Sequence, residues 1–317
     1  MRLFEHRDFQ AICSDAARRF DLPEQFIEKD YYVTEALRIA AVTQSGHIVF
    51  KGGTSLSKGW HLLERFSEDL DLFVDPGSYN PPLGNNGVDR ELKRLRDAVA
   101  GHPGLSYDSD RSQTFGGYGR DDYFQYAGRF EEIPGIPTSV KVEVGIQSGN
   151  FPIERVRLSS FASDLLRERG LIGAADDLEP FEMDLLHFRR TFVEKLFTVH
   201  GKVERLKSDG RHLRRDSRHY ADLYVLAATP QVLTMIRSDE YSQIRADYDQ
   251  KSKQFFANSY RPPNGLRFNR SDALLLPGEL RAMVEEDYYA DCRRLFRSEP
   301  PAFDLVIERL QGLAEEL

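Results

Sequence analysis

Cysteine is almost missing from this chain. Cys13 and Cys292 are the only two in 317 residues, far apart and outside any metal-ligand spacing. That excludes a disulfide scaffold and a cysteine-built zinc centre, and it fits a reducing compartment. Long apolar runs are missing as well: no stretch approaches the roughly 20 residues a helix needs to cross a bilayer. The opening MRLFEHRDFQ carries acids and lacks the apolar segment of a signal peptide, so the expected location is cytoplasmic, with no membrane partner. Positive charge is in deficit. A net charge of −8 offers no global attraction to nucleic acid, so a polyanionic partner would have to meet a local basic patch. His200, His212 and His219 have no companions at zinc-ligand spacing, and neither a Walker pattern nor Gly-x-Ser-x-Gly occurs. Internal repeats and low-complexity tracts are absent too.

What remains is an ordinary globular composition, 40% hydrophobic and 30% charged, on a chain long enough for two domains. Hydrophobic periodicity predicts helices over 5–19 and 24–42, the second opening near Pro23. HIVF (47–50) reads as a short buried strand, TSLSKGWHLLERF (54–66) as a helix capped by Thr54 or Ser55, and DLDLFV (69–74) as the next strand. YNPPLGNNG (79–87) is a loop, followed by a helix at about 88–100 and an edge-like strand at YFQYAGRF (123–130). The clearest strand is SVKVEVGIQSG (139–149), where Val140, Val142, Val144 and Ile146 alternate with Lys141, Glu143, Gly145 and Gln147. Beyond about residue 160 the strand signals stop. FRRTFVEKLFTVHGKVERL (188–206) is amphipathic, with Phe188, Phe192, Leu196, Val199 and Val203 on one face, and 218–228, 230–257, 271–290 and 302–316 also read as helical. The expected fold class is α+β: a mixed sheet domain followed by a helical domain, with a soft boundary near 175–182.

The stretch FKGGTSLSKGWHLLERFSEDLDLF (50–73) carries the candidate chemistry. On a strand, Asp69 and Asp71 point to one face while Leu70 and Leu72 point to the other. Two carboxylates held close repel unless a cation neutralises them. Hard ions such as Mg²⁺ take one or two carboxylates together with substrate phosphates. Gly52 and Gly53 let backbone N–H groups approach a phosphate with no Cβ in the way. Thr54 and Ser55 then stand at a helix N-terminus, which suits an anion. Either half alone is commonplace, a turn or a strand edge; the strand–helix–strand spacing that brings both to one edge favours function. A two-metal site wants a third carboxylate on an adjacent strand. Glu143 is the candidate, and its alternative is an exposed glutamate opposite the core face.

These residues resemble a known family. KGGTSLSK…RFSEDLDLF is similar to the AbiEii/AbiGii-type nucleotidyltransferases, toxins of bacterial toxin–antitoxin and phage-abortive systems, which include the MenT toxins. IEKDYYVTEAL (27–37) resembles that family's N-terminal helix, and Lys195 in FVEKLF and Asp222 in RHYADLYVL match two further positions. The pairing of Gly-Gly-Thr/Ser with Asp-x-Asp belongs to the wider polymerase-beta-like superfamily. The resemblance implies a catalytic nucleotidyltransferase domain with N-terminal helices over 1–178 and a helical domain over 179–317. It implies a Mg²⁺-dependent enzyme that moves NMP from an NTP to an acceptor, expected to be the 3′ end of tRNA, with a cognate antitoxin as partner. Asp69 and Asp71 would ligate Mg²⁺, and Lys51, Gly52, Gly53, Thr54 and Ser55 form the candidate nucleotide-binding stretch. Lys195 would neutralise charge on the phosphates, and Asp222 would help organise the site. Transfer to a protein hydroxyl and a non-catalytic nucleotide-binding module are the alternatives.

Residue chemistry speaks to these last positions as well. Lys195 borders the buried face of its helix, where an ammonium is costly unless an anion pairs with it; otherwise it snorkels out along its stem. Asp222 has a structural alternative as the partner of Arg218 one turn earlier. Between them, Lys202, Arg205, Lys207, Arg211, Arg214, Arg215 and Arg218 face Glu204, Asp209 and Asp216, a net +4 over 17 residues. Such a run is a solvated face or a grip for an RNA end, with Arg211, Arg214 and Arg215 as the candidate contacts.

Overall fold

The computed structural model describes residues 1–65, 69–134, 136–296 and 299–317. Phe66, Ser67 and Glu68, part of the motif quoted above, lie outside the described residues. The chain forms two compact units. The first comprises Met1–Gly59, Ser67–Ile146 and Ile153–Leu185; the second comprises Trp60–Phe66, Gln147–Pro152 and Leu186–Leu317.

The first unit is built on a mixed sheet of β1 (Ile48–Lys51), β2 (Asp69–Val74), β3 (Ser106–Phe115), β4 (Gly119–Gln125), β5 (Ser139–Gly145), β6 (Ile153–Leu158) and β7 (Phe181–Leu186). Their order across the sheet is β3-β4-β5-β2-β1-β7-β6. β2 runs antiparallel to β1 and parallel to β5, while β7 runs parallel to β1. Leu70, Leu72, Phe124, Val140, Val142 and Val144 are buried on one face, as alternation along each strand requires. The helices α1 (Phe9–Phe20), α2 (Glu24–Thr43), α3 (Gly52–Lys58), α4 (Asn85–Ala100) and α5 (Phe161–Glu168) complete this unit, with α2 against β5 and α4 against β4. Burial nearly all round α2 takes in Glu28, Lys29 and Glu35, and each is satisfied. Lys29 donates to the Pro137 carbonyl at 3.0 Å, Glu28 accepts from the Arg129 backbone N–H, and Glu35 pairs with Arg2 and Arg38.

The second unit is helical: α6 (Phe188–Asp209), α7 (His219–Leu226), α8 (Pro230–Ile236), α9 (Asp239–Phe255), α10 (Asp272–Leu275), α11 (Glu279–Leu295) and α12 (Phe303–Gly312). The apolar face of α6, from Phe188 to Val203, is buried as its spacing predicts. A left-handed Gly210 ends α6, with its N–H donating to the Leu206 carbonyl. The fully buried Arg190 ties this helix to the short Gln147–Pro152 piece, donating to the Phe151 carbonyl at 2.9 Å and pairing with Glu194 and Asp247.

Several expectations are corrected. The helix predicted over 54–66 stops at Lys58, and His61 beyond it takes a left-handed φ of 53°, which an α-helix does not accommodate. The strand near 123–130 is centred earlier and lies inside the sheet between β3 and β5. Strands do not stop near 160, because β7 follows. Its Glu182 and Asp184 suppress the strand signal, and both pair with Arg155 of β6, at 3.2 and 3.1 Å.

Candidate active site

The turn from β1 into α3 depends on one glycine. Gly52 has φ +75°, and a Cβ there would overlap the Asp71 carboxylate; no L side chain suits both constraints. Thr54 and Ser55 are buried, and their hydroxyls turn inward. Thr54 Oγ1 donates to the Asp69 carbonyl at 2.5 Å and Ser55 Oγ to the Gly52 carbonyl at 2.9 Å. The first bond ties the glycine turn to the first residue of β2, 15 positions further on. What this turn leaves for a ligand is backbone N–H, since the first turn of a helix has no intrahelical acceptors for its donors.

Across the sheet the register sets out a polar row. Lys51 stands opposite Asp71, Asp71 opposite Glu143, and Glu143 opposite Asp121; Asp69 stands opposite Lys141. Glu143 therefore does accompany the aspartate pair, one strand away. It is bonded to Lys141, whose ammonium is also 3.1 Å from Asp121 Oδ2. Burial, and then the negative charge of Asp71, pushes the Glu143 carboxyl up to about 7 despite the lysine. No described residue donates a hydrogen bond to the Asp71 carboxylate, a condition that suits a cation. Among the described residues no three His, Cys, Asp or Glu side chains converge as ligands. The donor set fits a hard divalent ion held by two carboxylates and completed by substrate oxygens.

In the second unit Lys195 and Asp222 meet, buried together with Arg65. Arg65 Nε and Nη2 reach the two Asp222 oxygens at 2.6 and 2.7 Å, and Lys195 Nζ lies 2.7 Å from Oδ2. Lys195 does not snorkel, and the partners of Asp222 are Arg65 and Lys195 rather than Arg218. His219 Nδ1 sits 3.0 Å from Lys195 Nζ and accepts from it. Burial, and then the lysine, lowers the His219 imidazole to about 4, so the ring is neutral. Burial lowers the Lys195 ammonium against the pull of Asp222. Burial alone would raise the Asp222 carboxyl, but Arg65 and Lys195 hold it well below the usual carboxylate range. Arg65 and Lys195 share the Asp222 carboxylate, and the buried Asp291 also acts on Arg65.

Residues 36–309 match the family described as nucleotidyl transferase AbiEii toxin of type IV toxin–antitoxin systems. The chain belongs to that family. Among curated proteins none matches it. A solved structure, MenT4, a nucleotidyltransferase toxin from Mycobacterium tuberculosis H37Rv, is similar over 99% of this chain and 89% of its own, with TM-score 0.58 and 18% identity. At that identity the likeness speaks to the fold, the mixed sheet with many helices. An AbiEii chain is a nucleotidyltransferase and the toxin of a system that includes an antitoxin. No helix among the described residues is long and apolar enough to cross a membrane.

The basic run of this AbiEii chain is partly paired. Lys202 pairs with Asp216, Lys207 with Glu204 and Asp272, and Arg205 donates to the Ser259 carbonyl at 3.0 Å. Arg211, Arg214 and Arg215 are exposed. Four residues of the two clusters were not anticipated. Lys141 had a visible signal, a lysine two positions before Glu143 on the polar face of the same strand. His219 had one too, three residues before Asp222 on the same helix; Asp121 and Arg65 had none, because their partners lie on other elements, Arg65 and Asp222 being 157 positions apart.

Proposed function

We propose that this AbiEii chain is a Mg²⁺-dependent enzyme that transfers NMP from an NTP to the 3′ end of tRNA. The observation that carries the metal is Asp71, set against the bare Gly52 backbone with no donor among the described residues, beside Asp69 and in register with Glu143. Asp69 and Asp71 would hold the ion. Bound Mg²⁺ would supply charge for the triphosphate oxygens and a lowered pKa for the attacking hydroxyl. Backbone N–H groups of Gly53, Thr54 and Ser55 bind triphosphate oxygens, with Gly52 allowing the approach and Lys51 adding charge at the strand end. The acceptor hydroxyl gives up its proton to water and attacks the α-phosphorus as the bond to the α,β-bridging oxygen breaks, and pyrophosphate leaves with that electron pair. Lys195 serves the phosphates, and Asp222 holds its ammonium in place. Arg211, Arg214 and Arg215 grip the RNA backbone.

The test is incubation of purified total tRNA with each α-³²P-NTP and Mg²⁺, using wild type and Asp71→Ala. Label on tRNA with the wild type, lost in the variant and with EDTA, is the expected result. Label on a protein band with bare tRNA would move the acceptor to a protein hydroxyl, and NTP binding without pyrophosphate release would leave only a binding module.

A further inference from the structure

We infer that Asp121 is a positioning residue for the metal pair, acting through Lys141: it is the second acceptor that keeps the ammonium when Glu143 turns to the cation. This rests on the metal reading above. One ammonium stands among carboxylates of neighbouring strands, bonded to Glu143, 3.1 Å from Asp121 Oδ2, and in register with Asp69. Its two bonded acceptors differ. Glu143 stands opposite Asp71, where a divalent ion would compete for it, and its side chain is 36% exposed. Asp121 is one strand further away and 15% exposed, with Gln113 donating to the same Oδ2 at 3.3 Å. The Tyr123 ring lies beneath the lysine, with Nζ 5.7 Å from its centroid.

An ammonium and a divalent ion on one carboxylate repel each other, so releasing Glu143 requires somewhere for Lys141 to stay. Asp121 provides it without any rearrangement of the backbone. Without Asp121, the ammonium is left to Glu143 and Asp69, the carboxylates nearest the ion, and opposes the ion directly. The device resembles a counter-ion exchange within one sheet: Lys141 keeps the carboxylates from repelling when no metal is bound, and retreats by one strand when it is.

The measurement is Mn²⁺ binding, read from the free-ion EPR signal, in wild type, Asp121→Asn, Asp121→Glu, Lys141→Gln and the Asp121→Asn/Lys141→Gln double variant. Asp69→Ala is the control, and thermal melts confirm that each variant folds; Asp121→Ser stands in should Asp121→Asn fail to. Asp121→Asn is expected to weaken Mn²⁺ binding roughly tenfold and Asp121→Glu to restore it, while in the Lys141→Gln background the same change shifts binding by less than about twofold. The half-activating Mg²⁺ concentration should rise in parallel. Unchanged binding in Asp121→Asn, or an equal loss with Lys141 already removed, overturns the inference; the second outcome makes Asp121 merely one more negative charge. Asp69→Ala binding Mn²⁺ like wild type overturns the metal reading and the inference with it.

Discussion

At the scale of single residues, Gly52 is the position whose identity is most tightly fixed. Its φ is left-handed, and the space its Cβ would fill belongs to Asp71. Gly52→Ala should lower nucleotide transfer by about 100-fold, because the carboxylate must leave its place, while lowering stability by only about 1–2 kcal/mol. Initial rates beside a urea melt separate the two effects, and an alanine variant with wild-type rate would show that Asp71 does its work elsewhere. Lys195 and Asp222 separate charge from packing. Lys195→Met preserves the stem, and Asp222 keeps its two bonds from Arg65, so we expect a folded protein that has lost most of its rate. Asp222→Asn should instead cost about 3–5 kcal/mol, because Arg65 and Lys195 lose the buried carboxylate that both bond. If Lys195→Met melts far below wild type while its folded fraction retains full specific activity, the lysine is structural.

At the scale of elements, legibility followed range. α6 and β5 carry their partners' faces in their own periodicity and were readable; β2 was readable because its Asp-x-Asp alternates with leucines. β7 was not, since its acidic residues are satisfied by Arg155 on a neighbouring strand, and α3 ended early ahead of a left-handed His61 that no local pattern announces. The Asp69, Asp71 and Glu143 row was legible as residues and as a face, but the lysine among them and the Arg65 clasp on Asp222 come from pairings that local pattern does not encode. The segment from Lys202 to Arg218 shows the converse: its +4 already includes Glu204 and Asp216, which pair within the run, and Asp272 from outside it offsets Lys207 further. Its remaining exposed arginines still make a test. Reversing Arg211, Arg214 and Arg215 to glutamate should cut tRNA labelling strongly, spare NTP binding, and flatten the dependence of labelling on salt, since fewer phosphate counterions are released. Equal labelling by both proteins at two salt concentrations would make the segment a solvated face.

At the scale of the whole molecule, each unit contains histidines that fold as neutral acceptors, which links stability to pH. His102, in the first unit, accepts from the Gly104 N–H at Nδ1, 3.1 Å away, while in the second unit His187 accepts from the Arg189 N–H at 3.2 Å and His219 from Lys195 at 3.0 Å. Protonation would turn each acceptor into a donor facing a donor. Burial, reinforced by a nearby cation in each case, lowers all three to about 4, against about 6.5 in an unfolded chain. Between those values the unfolded state binds more protons, so the stability these rings contribute is full above about 6.5 and is lost as pH falls toward 4. For His102, whose side chain is fully buried, the shift corresponds to a loss on the order of 3 kcal/mol. Urea unfolding followed from pH 7 to 4.5 should therefore show falling stability, and His102→Asn, which keeps an acceptor near Nδ1 but cannot titrate, should show a shallower fall across the same window. Stability that is flat or rises on acidification through that window, or NMR titration of the His102 ring near its unfolded value, would show that this histidine is not held neutral by the fold.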